Sequence, residues 1–208
     1  MSEPLRLRII GVVPASGSSL RMGRRKALLG LDGETFLQLV IRALADGGCE
    51  SVLVVAGAGE NLIADEARKC GATVLVNPDP GEGPITSLRI ALDSLDDSVD
   101  GIAYLPVDHP LVRAETVRDL LDATTEAGAD LTIPVVGEKR GHPTVFRRRL
   151  FAELLDPRLE GGARAVVHRH LESARLVPSE DSGAVRDIDT PEAYADAQSF
   201  VAARGGTP

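Results

Sequence analysis

Near-continuous apolar runs alternate along this chain with stretches that are apolar only at helical spacing. Leu7 to Val13, with Ile9, Ile10, Val12 and Val13 in close succession, reads as a strand buried on both faces. Ser51 to Ala56, Thr73 to Val76, Gly101 to Val107 and Leu131 to Val135 repeat that pattern. Between the first two strands, Phe36, Leu37, Val40, Ile41 and Leu44 make one face of a helix. Thr35 stands where a cap is needed, and Gly47-Gly48 ends the helix. Further helices are predicted from about Asn61 to Cys70, from Pro84 through Leu95 and from Arg113 to Ala127. The last of these carries Glu115 in its first turn, where the helix dipole favours an acid. This alternation of strand and helix predicts an α/β domain with a mostly parallel sheet. Ligands of such sheets sit at the carboxyl ends of the strands, and Gly57, Asn77 and Asp108 all fall there.

The rhythm loosens in the last third. Gly137 to Gly141 is a turn, Gly141 to Phe146 a short extended piece, and Arg149 to Leu155 a short helix. Gly161-Gly162 breaks the chain before a helical stretch from Ala163 to His170. Ala174 to Val177 and Ala184 to Ile188 read as short strands. Thr190-Pro191-Glu192 starts a final helix to about Ala203, with Thr as N-cap and Pro in the first helical position. His168 and His170 read as surface or packing residues of their helix rather than a metal site. A length of 208 residues suits one domain, residues 1–208, with a substantial core.

A formal net charge of −8 argues against general binding to nucleic acid or membranes, which need a broad basic surface. Only 3% of the residues are aromatic and none is Trp, so base stacking on aromatic platforms is not expected. Cys49 and Cys70 lack metal-type spacing and read as thiols of a reducing compartment. There is neither a signal peptide nor an apolar run long enough to span a bilayer, so the expected location is the cytoplasm.

Against that acidic background one stretch stands out. The first strand opens into Ala15-Ser16-Gly17-Ser18-Ser19 and then into Arg21, Arg24, Arg25 and Lys26, four cations within six residues. Small residues let backbone amides approach an anion closely, arginine adds a planar fork for phosphate oxygens, and lysine adds a point charge. Such a loop suits a polyphosphate. It is neither the Walker pattern, since no Ser or Thr follows Lys26, nor Gly-x-Gly-x-x-Gly. A solvated basic loop is the plainer reading, and the strand in front of it weighs against that.

The stretch from Ala15 to Lys26 resembles the opening motif of the molybdenum-cofactor nucleotidyltransferases, Leu-Ala-Ala-Gly-x-Ser-x-Arg-Met-Gly-x-x-Lys. Gly17, Ser19, Arg21, Met22, Gly23 and Lys26 fall in place, while Pro14 and Ser16 replace Leu and Ala. Asp108-His109-Pro110-Leu111-Val112 is similar to that family's metal-binding segment, and Asp187-Ile188-Asp189-Thr190-Pro191-Glu192, with Tyr194, to its closing motif. The resemblance covers nearly the whole chain. It implies a glycosyltransferase-A-like, Rossmann-related three-layer α/β/α sandwich.

Arg21, Lys26 and Asp108 would then be catalytic. The nucleotide would be held by Ala15 to Ser19, Arg21, Met22, Gly23, Lys26, Gly57, Asn77, Gly83, Pro84 and Ser87. The acceptor would lie near His109, Arg140, Gly141 and His142, because Gly141-His142-Pro143 resembles a segment of the cytidylyltransferase branch. Mg²⁺, which takes one or two carboxylates plus substrate phosphates, would use Asp108 with Asp187 or Asp189. The sequence leaves open which of the last two binds directly, since an exposed strand edge explains them as well. Gly83-Pro84-Ile85 is like the guanylyltransferase form and Ser87-Leu88 like the cytidylyltransferase form.

The implied reaction is transfer of CMP from CTP to a molybdopterin-type phosphate. A guanylyltransferase, or a transferase acting on another phosphorylated acceptor, is the alternative. A metal-dependent glycosyltransferase and a non-enzymatic nucleotide-binding module are the rivals from other classes. The resemblance also implies a molybdoenzyme or its maturation chaperone as a downstream partner.

Overall fold

The computed structural model describes residues 7–17 and 25–205. The first strand, β1 (Ile9–Ala15), leads past a turn of 3-10 helix at Lys26–Leu28 into a small hairpin of β2 (Gly30–Leu31) and β3 (Glu34–Thr35). Thr35 then caps α1 (Phe36–Asp46) reciprocally. The Gln38 amide donates to Thr35 Oγ1 at 3.2 Å, and the Thr35 amide donates to Gln38 Oε1 at 2.7 Å. After it come β4 (Ser51–Gly57), α2 (Asn61–Lys69), β5 (Thr73–Asn77), α3 (Pro84–Asp93), β6 (Gly101–Tyr104) and α4 (Ala114–Ala127). The remainder comprises β7 (Leu131–Val136), β8 (Lys139–Arg140), β9 (Thr144–Arg147), α5 (Phe151–Leu155), α6 (Gly162–Arg169), β10 (Arg175–Pro178) and α7 (Pro191–Gly205).

The main sheet runs β10-β7-β9-β6-β1-β4-β5, with β8 hydrogen-bonded to β7. β1 pairs in parallel with both β4 and β6, and β4 with β5. β9 is antiparallel to both β6 and β7, so the sheet is mixed and mostly parallel.

Alternation along β1 explains the three layers. Ile9, Val13 and Ala15 enter one core together with Leu37, Val40, Ile41 and Leu44 of α1. Ile10 and Val12 enter a second core on the opposite face, with Leu88 and Leu92 of α3 and Leu154 of α5. A third, smaller cluster joins Leu29, Leu31 and Phe36 to Ile188 and Ala197. It clamps the segment after the basic loop against the end of the chain. Among the described residues no helix is long and apolar enough to cross a membrane.

One expectation is sharpened and one is overturned. Gly141 to Phe146 contributes an internal strand, β9, with Thr144, Val145 and Phe146 buried between β6 and β7. Ala184 to Ile188 is not a strand: Ser182–Val185 forms a 3-10 turn. The cause is Asp181, which is fully buried. Its carboxylate accepts from the amides of Gly183 at 3.1 Å and Arg113 at 2.8 Å, and from Thr116 Oγ1 at 2.9 Å. The Ala184 and Arg186 amides are used within the turn, so no ladder forms. Gly183 lies so close to the Leu111 carbonyl that a Cβ there would overlap it.

Candidate active site

Above the carboxyl ends of β1, β5 and β6 opens a cleft of about 860 Å³. It is lined on one side by Ala15, Ser16, Gly17 and Lys26, on another by Gly81, Gly83 and Pro84, and on a third by Asp108, His109, Arg140, His142 and Asp187. Ser18, Ser19, Arg21, Met22 and Gly23 lie outside the described residues.

Lys26 is the centre of charge. Its side chain is only 13% exposed, its Nζ stands 3.5 Å from Asp108 Oδ2, and it pairs with Asp189 Oδ1. Asp189 is thus the one of the two closing-motif acids that reaches Lys26, while Asp187 lines the cleft itself. Backbone geometry brings the acids together, since the Ile188 amide donates to the Asp108 carbonyl at 2.8 Å. Ile188 is buried, which turns its acidic neighbours outward from the third cluster.

Burial raises the Asp108 pKa, but the His109 hydrogen bond and the charges of His109, Lys26 and His142 outweigh it. The net effect holds this carboxyl at about 2, so it is an anion throughout the physiological range. Its Oδ1 faces His109 Nδ1 at 3.0 Å.

A hard cation fits here. Two carboxylates already converge on the ammonium group of Lys26, so the protein's own charge marks a place where positive charge is favoured. Among the described residues no group of three or more His, Cys, Asp or Glu is arranged to cage an ion. That suits an ion that completes its shell with substrate phosphates.

The residues around the expected base divide differently. Asn77 is 1% exposed and Ser87 is 0% exposed. Asn77 Nδ2 donates to Thr86 Oγ1 at 2.9 Å and to Ser87 Oγ at 3.0 Å, and its Oδ1 accepts from the Asp79 amide at 2.9 Å. Ser87 Oγ and Ser16 Oγ are 2.7 Å apart. The three side chains therefore form a buried latch that ties the β1 loop, the end of β5 and the first turn of α3 into one piece. Gly57 is buried beside this cluster, near the Ser16 carbonyl. Gly83 holds α3's entry at a φ of +94°, a conformation that favours glycine, and leaves its face open to the cleft.

His142 sits edge-on to His109, with ring centroids 4.6 Å apart, and its Nδ1 is closed off without a hydrogen-bond partner among the described residues. Burial first, and the charge of His109 second, push its pKa down from 6.5 to about 4, against the pull of Asp108 and the Tyr104 carbonyl. His142 is therefore neutral at pH 7. The unfolded chain takes up the proton first, so stability present above pH 6.5 is lost as the pH falls towards 4. The stability gap between wild type and a His142→Gln variant is expected to shrink by up to roughly 3 kcal/mol across that window. Urea melts at pH 7 and pH 4.5 check this, and parallel curves would contradict it.

Sequence reasoning missed Tyr104, Asp181 and the pairing of Arg25 with Glu60. Asp181-Ser182-Gly183 carried a usable clue, because Asp followed two residues later by Gly is a common self-bonding turn. His168 bonds Arg164, and His170 bonds Glu153, in keeping with their reading as surface and packing residues.

With this geometry in hand, comparison with known proteins is informative. Residues 11–174 match the family described as MobA-like NTP transferase domain, and the chain belongs to that family. It is 31% identical over 163 residues to a probable molybdenum cofactor guanylyltransferase of Mycobacterium avium strain 104, covering 77% of this chain and 79% of the relative. It is 29% identical over 198 residues to a 2-C-methyl-D-erythritol 4-phosphate cytidylyltransferase of Saccharopolyspora erythraea, covering 88% and 87%.

Among solved structures, Rv0371c of Mycobacterium tuberculosis H37Rv superposes with a TM-score of 0.82 at 26% identity, covering 92% of this chain and 98% of that one. A manganese complex of Rv0371c superposes at 0.78 and 25% identity, with the same coverage. The fold is thus the glycosyltransferase-A-like α/β sandwich, and the activity class is nucleotidyl transfer.

Proposed function

We propose that the chain transfers CMP from CTP to the terminal phosphate of a molybdopterin-type acceptor and releases pyrophosphate. The observation that carries the reading is the convergence of Lys26, Asp108 and Asp189 at the mouth of a cleft walled by the β1 loop and the start of α3. An acceptor phosphate is already ionised at neutral pH, so the reaction needs no general base. One phosphate oxygen bonds to the α-phosphorus as the bond to the bridging oxygen breaks, and pyrophosphate leaves with the electron pair. Positioning and neutralisation of charge are then the catalytic work.

Lys26, with Arg21, would hold the triphosphate and steady the departing pyrophosphate. Asp108 with Asp187 or Asp189 would hold Mg²⁺, which when bound neutralises phosphate charge. Gly17, Gly83 and Pro84 would shape the nucleotide's path, with the latch of Ser16, Asn77 and Ser87 fixing the walls. His109, Arg140, Gly141 and His142 would face the acceptor, and a molybdoenzyme or its maturation chaperone would receive the product.

GTP is the rival donor, favoured by the name of the Mycobacterium avium relative. Ala15 and Ser16 both carry side chains at this wall, and Ser16 Oγ lies 2.7 Å from Ser87 Oγ. Extra atoms there crowd a purine more than a pyrimidine. Size-based discrimination of this kind is worth roughly 10–200-fold. CTP is therefore expected to exceed GTP by that range in kcat/KM with one acceptor, followed by pyrophosphate release. Equal efficiencies, or a preference for GTP, would assign the chain to the guanylyltransferase branch.

A further inference from the structure

Arg25 and Lys26 are neighbours in the chain, yet they reach to opposite sides of the end of β1. Lys26 meets Asp108, beyond β6, while Arg25 pairs with Glu60, beyond β4, and β1 lies between those two strands in the sheet. Both cations line the cleft. Arg25 has extended backbone, and its carbonyl accepts from the Leu28 amide at 3.0 Å. Glu60 is set by the turn that follows β4. Its amide donates to the Gly57 carbonyl at 3.1 Å, and Gly59 stands at a φ of +79°. A Cβ on Gly57 would lie 3.3 Å from Glu60 Cγ, so this glycine leaves room for the acid to fold back over it.

The pair is unequally buried. The Glu60 side chain is 21% exposed and that of Arg25 52%. Glu60 Oε2 is shut off from solvent, and its partner among the described residues is Arg25. Parting the two would strand a buried anionic oxygen, which is costly. Part of the guanidinium fork is thereby committed, and the half-exposed remainder is left for the cleft. We propose that Arg25 contacts the outer phosphates of a nucleoside triphosphate and that Glu60 is the positioning residue that aims it. A run of phosphates lying across the end of β1 meets a cation on either side, whereas a lone α-phosphate meets only one. Glu60 itself does not line the cleft, so it acts through Arg25. The proposal rests on the nucleotidyl-transfer reading above and adds to it a carboxylate from the start of α2, outside the basic loop.

Isothermal titration calorimetry on the full chain with Mg²⁺ compares CTP with CMP, and GTP with GMP. Arg25→Ala is expected to weaken the triphosphate roughly tenfold or more, the worth of one charge-assisted hydrogen bond, and to leave the monophosphate within about twofold. Retained monophosphate binding also reports an intact fold. Glu60→Gln keeps the stem and loses the charge, and should weaken the triphosphate roughly threefold without moving the monophosphate. In Arg25→Ala the unpaired Glu60 would itself repel phosphates, so the Arg25→Ala/Glu60→Gln double variant is the control. It should stay roughly tenfold weaker than wild type, because no cation is left for residue 60 to aim.

If wild type binds a triphosphate and Arg25→Ala binds it equally well, the proposal falls and the transfer reading stands. The proposal falls equally if the monophosphate weakens as much as the triphosphate, which would make Arg25 a prop of the loop. It falls if Glu60→Gln leaves triphosphate binding unchanged or tightens it, the latter making Glu60 a competitor for Arg25. Wild-type affinity in the double variant would also overturn it. If wild type binds neither triphosphate, the transfer reading falls and takes this proposal with it.

Discussion

Asp108→Asn is expected to lower metal-dependent kcat/KM at least a thousandfold, about 4 kcal/mol of transition-state stabilisation. The side chain holds its charge firmly, since His109 and Lys26 keep its pKa at about 2 despite burial. Asparagine retains the shape and an acceptor oxygen for His109, and it leaves untouched the backbone bond from the Ile188 amide to the carbonyl of residue 108. The variant should therefore fold, with a melting temperature close to wild type at pH 7. What it loses is the negative oxygen that a hard cation requires. Mn²⁺ binding, measured by water-proton relaxation in the presence of CTP or GTP, should weaken in step with turnover. Wild-type turnover at low Mg²⁺ would move the ion to other residues.

Lys26→Ala carries the second large effect, with opposite signs for the two ligands. Loss of a preorganised donor to a charged leaving group costs 10²–10³-fold in rate, roughly 3–4 kcal/mol, so kcat/KM should fall by that much. In the free protein, however, Lys26 pairs with Asp108 and Asp189. Its removal leaves two carboxylates facing one another without their ammonium group, and such a pair attracts a divalent ion more strongly. Mn²⁺ alone should thus bind the variant more tightly than wild type, while triphosphate binds more weakly. Metal-free Lys26→Ala should also melt at lower temperature, because the side chain is mostly enclosed rather than a solvated loop lysine. Weaker binding of both ligands would show that Lys26 serves only to hold the loop's shape.

Much of the sheet was legible because β1, β4 and β6 are buried on both faces and therefore read as near-continuous apolar runs. α1 was legible to the residue at its start, since Thr35 and Gln38 carry the capping box in plain sequence. β9 was harder. It has four residues, follows Pro143, and finds both of its partners far along the chain in β6 and β7. Ala184 to Ile188 misled because alternation alone says nothing about a carboxylate such as Asp181 recruiting the neighbouring amides into a turn. In the site, the places of Lys26 in the basic loop after β1 and of Asp108 after β6 could be read locally. The contact of Lys26 with Asp189 spans 163 residues and depends on the third hydrophobic cluster, which no local pattern announces. Ser87 and Asn77 read as ligand-facing polar groups, whereas the structure places their side chains in a buried latch.

The bond between Ile188 and Asp108 also joins parts of the site that are synthesised far apart in time. By the time Pro178 has left the ribosome, every strand of the main sheet exists, and the apolar cores on both faces have their residues. Asp181, which anchors the start of α4, and Asp189, the partner of Lys26, emerge only afterwards. A nascent chain of that length would own a finished scaffold and an unfinished charge centre. Its Lys26 would still lack one of the acids that hold it in the mature protein. The pairing of Lys26 is thus completed only after the scaffold that carries it has been made.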